Sequence, residues 1–226
     1  MGCCNPLPVS GEAFITEIFQ DPNFKLKEYD YNHLLNFLSD FLINQELHKK
    51  YIEEQIVPSF YHHHNYENKK YYQSIFKEIL NNLQDKNNMY NVLIYFYPFI
   101  EHNNENVENN LYSIFNYIGG KGYLNLKLML DCIENYIKFV TITITKIILN
   151  NTNDELVQNS LNELLNRVYT ENNIQNFLAT NLFELLKLYG QNDVIPVEIF
   201  IEYTRRLDLG YFHELRNRIY IYSFAR

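Results

Sequence analysis

The chain has 226 residues and a formal net charge of −8, with 46% hydrophobic and 16% aromatic residues, among them 20 Tyr, 16 Phe and no Trp. So apolar a chain is long enough to bury a core and is not disordered, and its acidic balance excludes the basic footprint of a nucleic-acid binder. Only 7 Gly and 6 Pro leave too few tight-turn residues for an all-β protein.

Met1-Gly2-Cys3-Cys4 opens the sequence. Once Met is removed, Gly2 could take a myristoyl chain and Cys3 and Cys4 palmitoyl chains. One myristoyl chain holds a membrane only marginally, with K on the order of 10⁴ M⁻¹, so a second acyl group is what makes anchoring stable. Pro6 departs from the acylation pattern, which has Ser or Thr at that position. With Pro8, Ser10 and Gly11 it makes residues 1–13 read as a flexible, acylatable segment. The remaining cysteine, Cys132, falls in a helical pattern, so no disulfide framework is expected. No charged-then-apolar leader is present, and the longest apolar run, 136–149, is too short to span a bilayer. A cytoplasmic protein at the cytosolic face of a membrane is therefore expected.

From Phe14 the apolar spacing turns helical through Ile15, Ile18 and Phe19. A turn cluster at 20–23 precedes a second helix carrying Tyr31, Leu34, Leu35, Leu38, Phe41 and Leu42. Residues 45–70 form a more polar connection with Pro58 and His62-His63-His64. Three consecutive histidines do not converge on one ion, so the triplet reads as a solvated run. Next, Ile75, Phe76, Ile79, Leu80 and Leu83 share one stripe. A turn at 84–88 follows, and Val92, Leu93, Tyr95, Phe96 and Phe99 resume the period. Pro98 ends or kinks that helix, and 101–110 is a polar linker between halves.

The most informative stretch is 111–140. Leu111, Ile114, Phe115 and Ile118 repeat at helical spacing until Gly119-Gly120-Lys121-Gly122. After Tyr123-Leu124 a second run begins, with Leu128, Met129, Cys132, Ile133, Tyr136, Ile137 and Val140. Helix, glycine loop, one extended residue and helix is the outline of an EF-hand. Residues 140–145 alternate like a strand, yet the stripe Ile133, Tyr136, Ile137, Val140, Ile144 and Ile147 fits a helix, which length favours. Residues 151–169 read as an amphipathic helix capped by Thr152 or Asn153. Its stripe is Leu156, Val157, Leu161, Leu164, Leu165 and Val168. Residues 174–203 supply a last helix-loop-helix unit. The aromatic tail 207–226, with Arg216, Arg218 and Arg226, is a final helix or a docking arm, packing at home being favoured.

Gly122-Tyr123-Leu124 followed by Met129-Leu130-Asp131 resembles the third EF-hand of the neuronal calcium sensor, or recoverin-like, branch of the EF-hand superfamily. The resemblance implies an all-α fold of paired EF-hand-like helix-loop-helix units with short β-ribbon contacts between loops. It divides the chain into an N-terminal pair, 14–105, a C-terminal pair, 106–206, and a C-terminal helix or arm, 207–226. N-terminal myristoylation belongs to that family too, in keeping with the candidate acylation sites Gly2, Cys3 and Cys4. In this frame Leu26 pairs with Met89, and Leu124 with Val194.

Set against a calcium loop, every unit lacks ligands. In the first, Asp21, Asn23 and Asp30 fall on the third, fifth and last positions, but Phe19 takes the first. The second keeps only Asp85 and is about two residues too long. The third is about two residues short and has Leu128 where the bidentate Glu belongs. In the fourth, Phe183 and Leu186 end the entering helix and Glu198 takes the last place. Yet Lys187 and Tyr189 hold the first and third, and Asn192 replaces the turn glycine. The candidate oxygens are thus Asp21, Asn23, Asp30, Asp193 and Glu198, an incomplete set, and no bound cofactor is expected.

No GxSxG, HExxH, Walker A or CxxC pattern occurs, so a non-enzymatic protein is expected. The reading is a membrane-anchored adaptor that holds a partner protein's helix or peptide without requiring calcium. A calcium sensor with one or two sites, and a structural subunit of a large cytoskeletal or membrane complex, are the alternatives.

Overall fold

Apolar side chains three and four residues apart build most of what the computed structural model describes: residues 10–20, 68–81, 95, 115 and 124–225. Of these, 82% are helical and the rest include one two-stranded sheet, so the fold is all-α. Helix α1 (Ser10–Gln20) buries Ile15, Ile18 and Phe19, and α2 (Lys69–Asn81) buries Tyr71, Tyr72, Ile75, Phe76 and Ile79. The Tyr72 hydroxyl donates to the Ile18 carbonyl at 2.7 Å, joining the two helices where water is excluded.

Helix α1 starts inside the segment expected to be flexible. The reason lies at Gly11, whose backbone N–H donates to Ser160 Oγ at 2.9 Å. A Cβ at Gly11 would stand 2.8 Å from that same oxygen. Glycine here permits a close helix crossing instead of breaking a helix, and the serine satisfies one of the orphan donors of the first turn.

Strand β1 (Leu124–Asn125) leads straight into α3 (Leu126–Lys138). Asn125 caps α3 by accepting the Leu128 N–H at 2.8 Å. After α3 the chain makes a π-helical turn (Phe139–Thr143) and continues as α4 (Ile144–Asn151). The alternating stretch 140–145 is therefore helical. Its threonines satisfy themselves along the helix: Thr141 Oγ1 donates to Ile137 O at 2.6 Å and Thr145 Oγ1 to Thr141 O at 2.5 Å.

The single helix expected over 151–169 is interrupted. Thr152 is extended (φ −97°, ψ 144°) and ends α4. Asp154 caps α5 (Glu155–Glu163), its Oδ1 accepting from Leu156 N at 2.9 Å and Val157 N at 3.2 Å. A carboxylate that serves two donors displaces Thr152 and Asn153 as the cap, and Leu156 is left 78% exposed. A second π-helical turn (Leu164–Val168) follows, then α6 (Glu171–Asn181) capped by Thr170, and α7 (Phe183–Leu188).

Strand β2 (Val194–Ile195) precedes α8 (Val197–Arg206) and α9 (Phe212–Phe224). The tail is thus a helix packed at home through Phe212, Leu215 and Ile219. Asp208, with φ 53°, turns the chain between α8 and α9 and forms an ion pair with Arg218. One apolar core takes in Ile15, Ile79, Ile137, Ile148, Leu161 and Leu215. Helices from either side of 105/106 therefore share it. The Tyr136 hydroxyl, buried among them, donates to Leu209 O at 2.7 Å.

Strands β1 and β2 run antiparallel, with Leu124 opposite Ile195 and Asn125 opposite Val194. The expected partner of Leu124 was Val194, so the ribbon is offset by one residue. Leu124 and Ile195 are buried and Val194 is 57% exposed.

Candidate functional site

The offset carries through the last helix-loop-helix unit. Leu182 and Leu185 are buried, whereas Phe183 and Leu186, expected to end the entering helix on its inner face, are exposed. The inner residue thus comes one position earlier on the helix, and the ribbon residue one position later, so the intervening loop is longer than the twelve-residue pattern. Counted from Ile195, the final ligand position moves off Glu198 and onto Ile199. Glu198 sits exposed in the first turn of α8, where a carboxylate complements the helix dipole. Asp193 is engaged locally, its Oδ2 accepting the Gly190 N–H at 2.6 Å. Among the described residues no three His, Cys, Asp or Glu side chains gather as a metal site. Gly2, Cys3, Cys4, Asp21, Asn23, Asp30 and the His62–His64 triplet lie outside the described residues, as do Leu26 and Met89.

What the structure does bring together is a buried polar cluster about Arg216. This arginine falls on the inner stripe of α9 between Phe212 and Ile219, and its side chain is 1% exposed. The guanidinium lies 2.5 Å and 3.1 Å from the two Glu12 oxygens and 3.1 Å from Thr145 Oγ1. It also donates to the Val140 carbonyl. The π-helical turn at 139–143 is what makes this possible, because its widened ladder leaves carbonyls to accept from outside the helix. Tyr169 closes the cluster. Its hydroxyl donates to Glu12 Oε1 at 2.6 Å, and its ring lies 4.7 Å from the guanidinium carbon. Burial pushes the Tyr169 phenol up, with Arg216 opposing and Glu12 adding to the shift. For Arg216, burial works against the charge but Glu12 and Tyr169 outweigh it, so its pKa is raised.

Beside this cluster opens a groove of about 540 Å³, within the ~300–1,000 Å³ range of ligand clefts. Its apolar walls are Leu164 and Val168 from the second π-helical turn, Tyr220 and Phe224 from α9, and Ala13 from α1. Glu12, Glu163, Glu214 and His213 supply its charged and titratable groups. Glu163 pairs with Arg167 at 2.6 Å, and Glu214 is exposed. Burial lowers the His213 pKa; Glu214 and Glu12 pull it up and Arg216 pulls it down, leaving a neutral imidazole at pH 7. Ser160, a possible nucleophile by type, is occupied as the acceptor of the Gly11 N–H. The arrangement is suited to gripping apolar side chains that arrive with a positive charge nearby.

In sequence, Arg216 belongs to the tail with no evident partner, and Glu12, Tyr169, His213 and Glu214 carry no motif. A signal for Arg216 existed: a charge four residues after Phe212 and three before Ile219 lies on the apolar stripe. Among the described residues no helix is long and apolar enough to cross a membrane. The chain matches no protein-family model, no curated protein and no solved structure.

Proposed function

We propose that this chain is a non-enzymatic adaptor, similar in its central unit to the recoverin-like EF-hand proteins, that works without calcium. It holds a segment of a protein partner in the groove between α1, α5 and α9. Acyl groups on Gly2, Cys3 and Cys4 bring it to the cytosolic face of a membrane. The reading rests on the ribbon. Strands β1 and β2 pair Leu124 with Ile195, which supports two EF-hand-like loops sharing a small sheet, and in that frame Leu128 and Ile199 take the terminal ligand positions. Hydrocarbon there supplies no oxygen to a hard cation.

Cross-linking in cells, followed by partner capture with calcium or with a chelator, tests the proposal. The same partner should be recovered in both conditions. Capture only with calcium would replace the adaptor by a calcium sensor. Mass spectrometry of the N-terminus checks the anchor, and an unmodified Gly2 would remove it.

A further inference from the structure

The groove carries three carboxylates, Glu12, Glu163 and Glu214, and among the described residues neither Lys nor Arg lines it. Glu12 is matched by the buried Arg216 and Glu163 by Arg167. Glu214 has no ion-pair partner among the described residues and stands at the rim. The chain as a whole is at −8. His213 adds no positive charge at neutral pH, because burial lowers its pKa. Glu214 is therefore the carboxylate left without a matching cation, beside the apolar Leu164, Val168, Tyr220 and Phe224.

The walls also limit the shape of an occupant. They are the sides of α1, α5 with its π-helical turn, and α9. Among the described residues no sheet edge borders the groove, so strand addition has no template there and an occupant that satisfies its own backbone hydrogen bonds is favoured. A helix does that. No residue of the ribbon or of the loop before β2 lines the groove, so it is separate from the ribbon.

We infer that the groove takes a basic amphipathic helix of a partner protein, apolar side chains entering between Val168 and Phe224 and a Lys or Arg facing Glu214. The inference rests on the adaptor reading and names the chemistry of its partner. An anionic lipid surface is disfavoured by the same carboxylates.

The test is fluorescence anisotropy on the full chain with a labelled Leu/Lys helical peptide, its Leu/Glu counterpart and phosphatidylserine vesicles as competitor. The Leu/Lys peptide should bind, more weakly as salt rises. Glu214→Lys should weaken it about fivefold, and Phe224→Ala about tenfold. Both side chains are exposed, so the fold survives, which circular dichroism verifies. Equal binding of the Leu/Glu peptide, insensitivity to both variants, or displacement by the vesicles would each overturn the inference. Cellular partner capture that persists in both variants would also overturn it, while leaving the adaptor reading intact through another surface. Loss of capture in every condition would instead strike the adaptor reading, and the peptide result would stand by itself.

Discussion

Glu12, in the first turn of α1, and Arg216, midway along α9, form a two-point ion pair, with oxygen–nitrogen distances of 2.5 Å and 3.1 Å. The arginine side chain is 1% exposed and the glutamate 18%. Removing one partner of such a pair leaves the other charge stranded, at a cost of about 3–5 kcal/mol. The two partners are not equivalent, because only the glutamate can reach water.

Glu12→Gln should therefore destabilise by about 3–5 kcal/mol, and Arg216→Met by roughly half as much. Combining the two should cost less than the sum, since neither charge is then left alone. Urea unfolding of the three variants measures this. Strict additivity would mean that the contact contributes nothing of its own.

The ribbon offset yields a sharper comparison. Ile195 is fully buried and Val194 is 57% exposed. Ile195→Ala should cost about 2–4 kcal/mol, while Val194→Ala stays within about 0.5 kcal/mol. The opposite order in thermal or urea unfolding would restore the pairing of Leu124 with Val194.

Calcium should leave stability where it was. A micromolar site in millimolar calcium would add about 4 kcal/mol to the folded state. Thermal scans with millimolar calcium and with a chelator should superimpose. A clear upward shift in calcium would contradict the proposed calcium-independent adaptor.

Acid sensitivity follows from His213. Its pKa is lowered in the folded state from 6.5, chiefly by burial. The unfolded chain therefore binds more protons between the two values, and stability falls as pH drops below about 6.5. His213→Gln should flatten that limb of the urea-midpoint profile without changing the neutral plateau's slope. An unchanged profile in the variant would assign the acid limb to other groups.

Cys132 is 1% exposed, and burial, with a contribution from Asp131, pushes its thiol up to about 12. Since the thiolate is the reactive form, iodoacetamide should leave Cys132 unmodified at neutral pH until the protein unfolds. Peptide mapping after a timed pulse reads this directly. Rapid labelling of the native protein would show that α3 opens readily.

Helix content was legible because it follows from local spacing. Leu128, Met129, Cys132, Ile133, Tyr136, Ile137 and Val140 were expected on one stripe; Leu128 is partly buried and the others are buried. The last unit was harder for a specific reason. Between Leu182 and Leu188 the apolar residues fall on two stripes displaced by one position, Leu182 with Leu185 and Phe183 with Leu186. Val194 and Ile195 present the same choice in a strand. Period alone cannot choose between neighbours of equal hydrophobicity; packing against the other elements does.

The polar cluster was less legible still. Glu12 falls in the segment that reads as flexible from sequence, and the arginine it meets lies 204 positions away in sequence. Two π-helical turns, at 139–143 and 164–168, shape its surroundings, and neither carries a local signal. Gly11 misled for a similar reason, since whether a glycine breaks a helix or admits a neighbour depends on what comes close.

A contact between positions so remote closes the longest loop in the described structure's polar cluster, so its ordering entropy is lost all at once. It should belong to the late stage of folding and to the earliest stage of opening. Because α1 supplies both Glu12 and one wall of the groove, release of that contact should widen the groove. Amide exchange in α1 should therefore slow on peptide binding in step with exchange in α9, and a response confined to one helix would separate the two events.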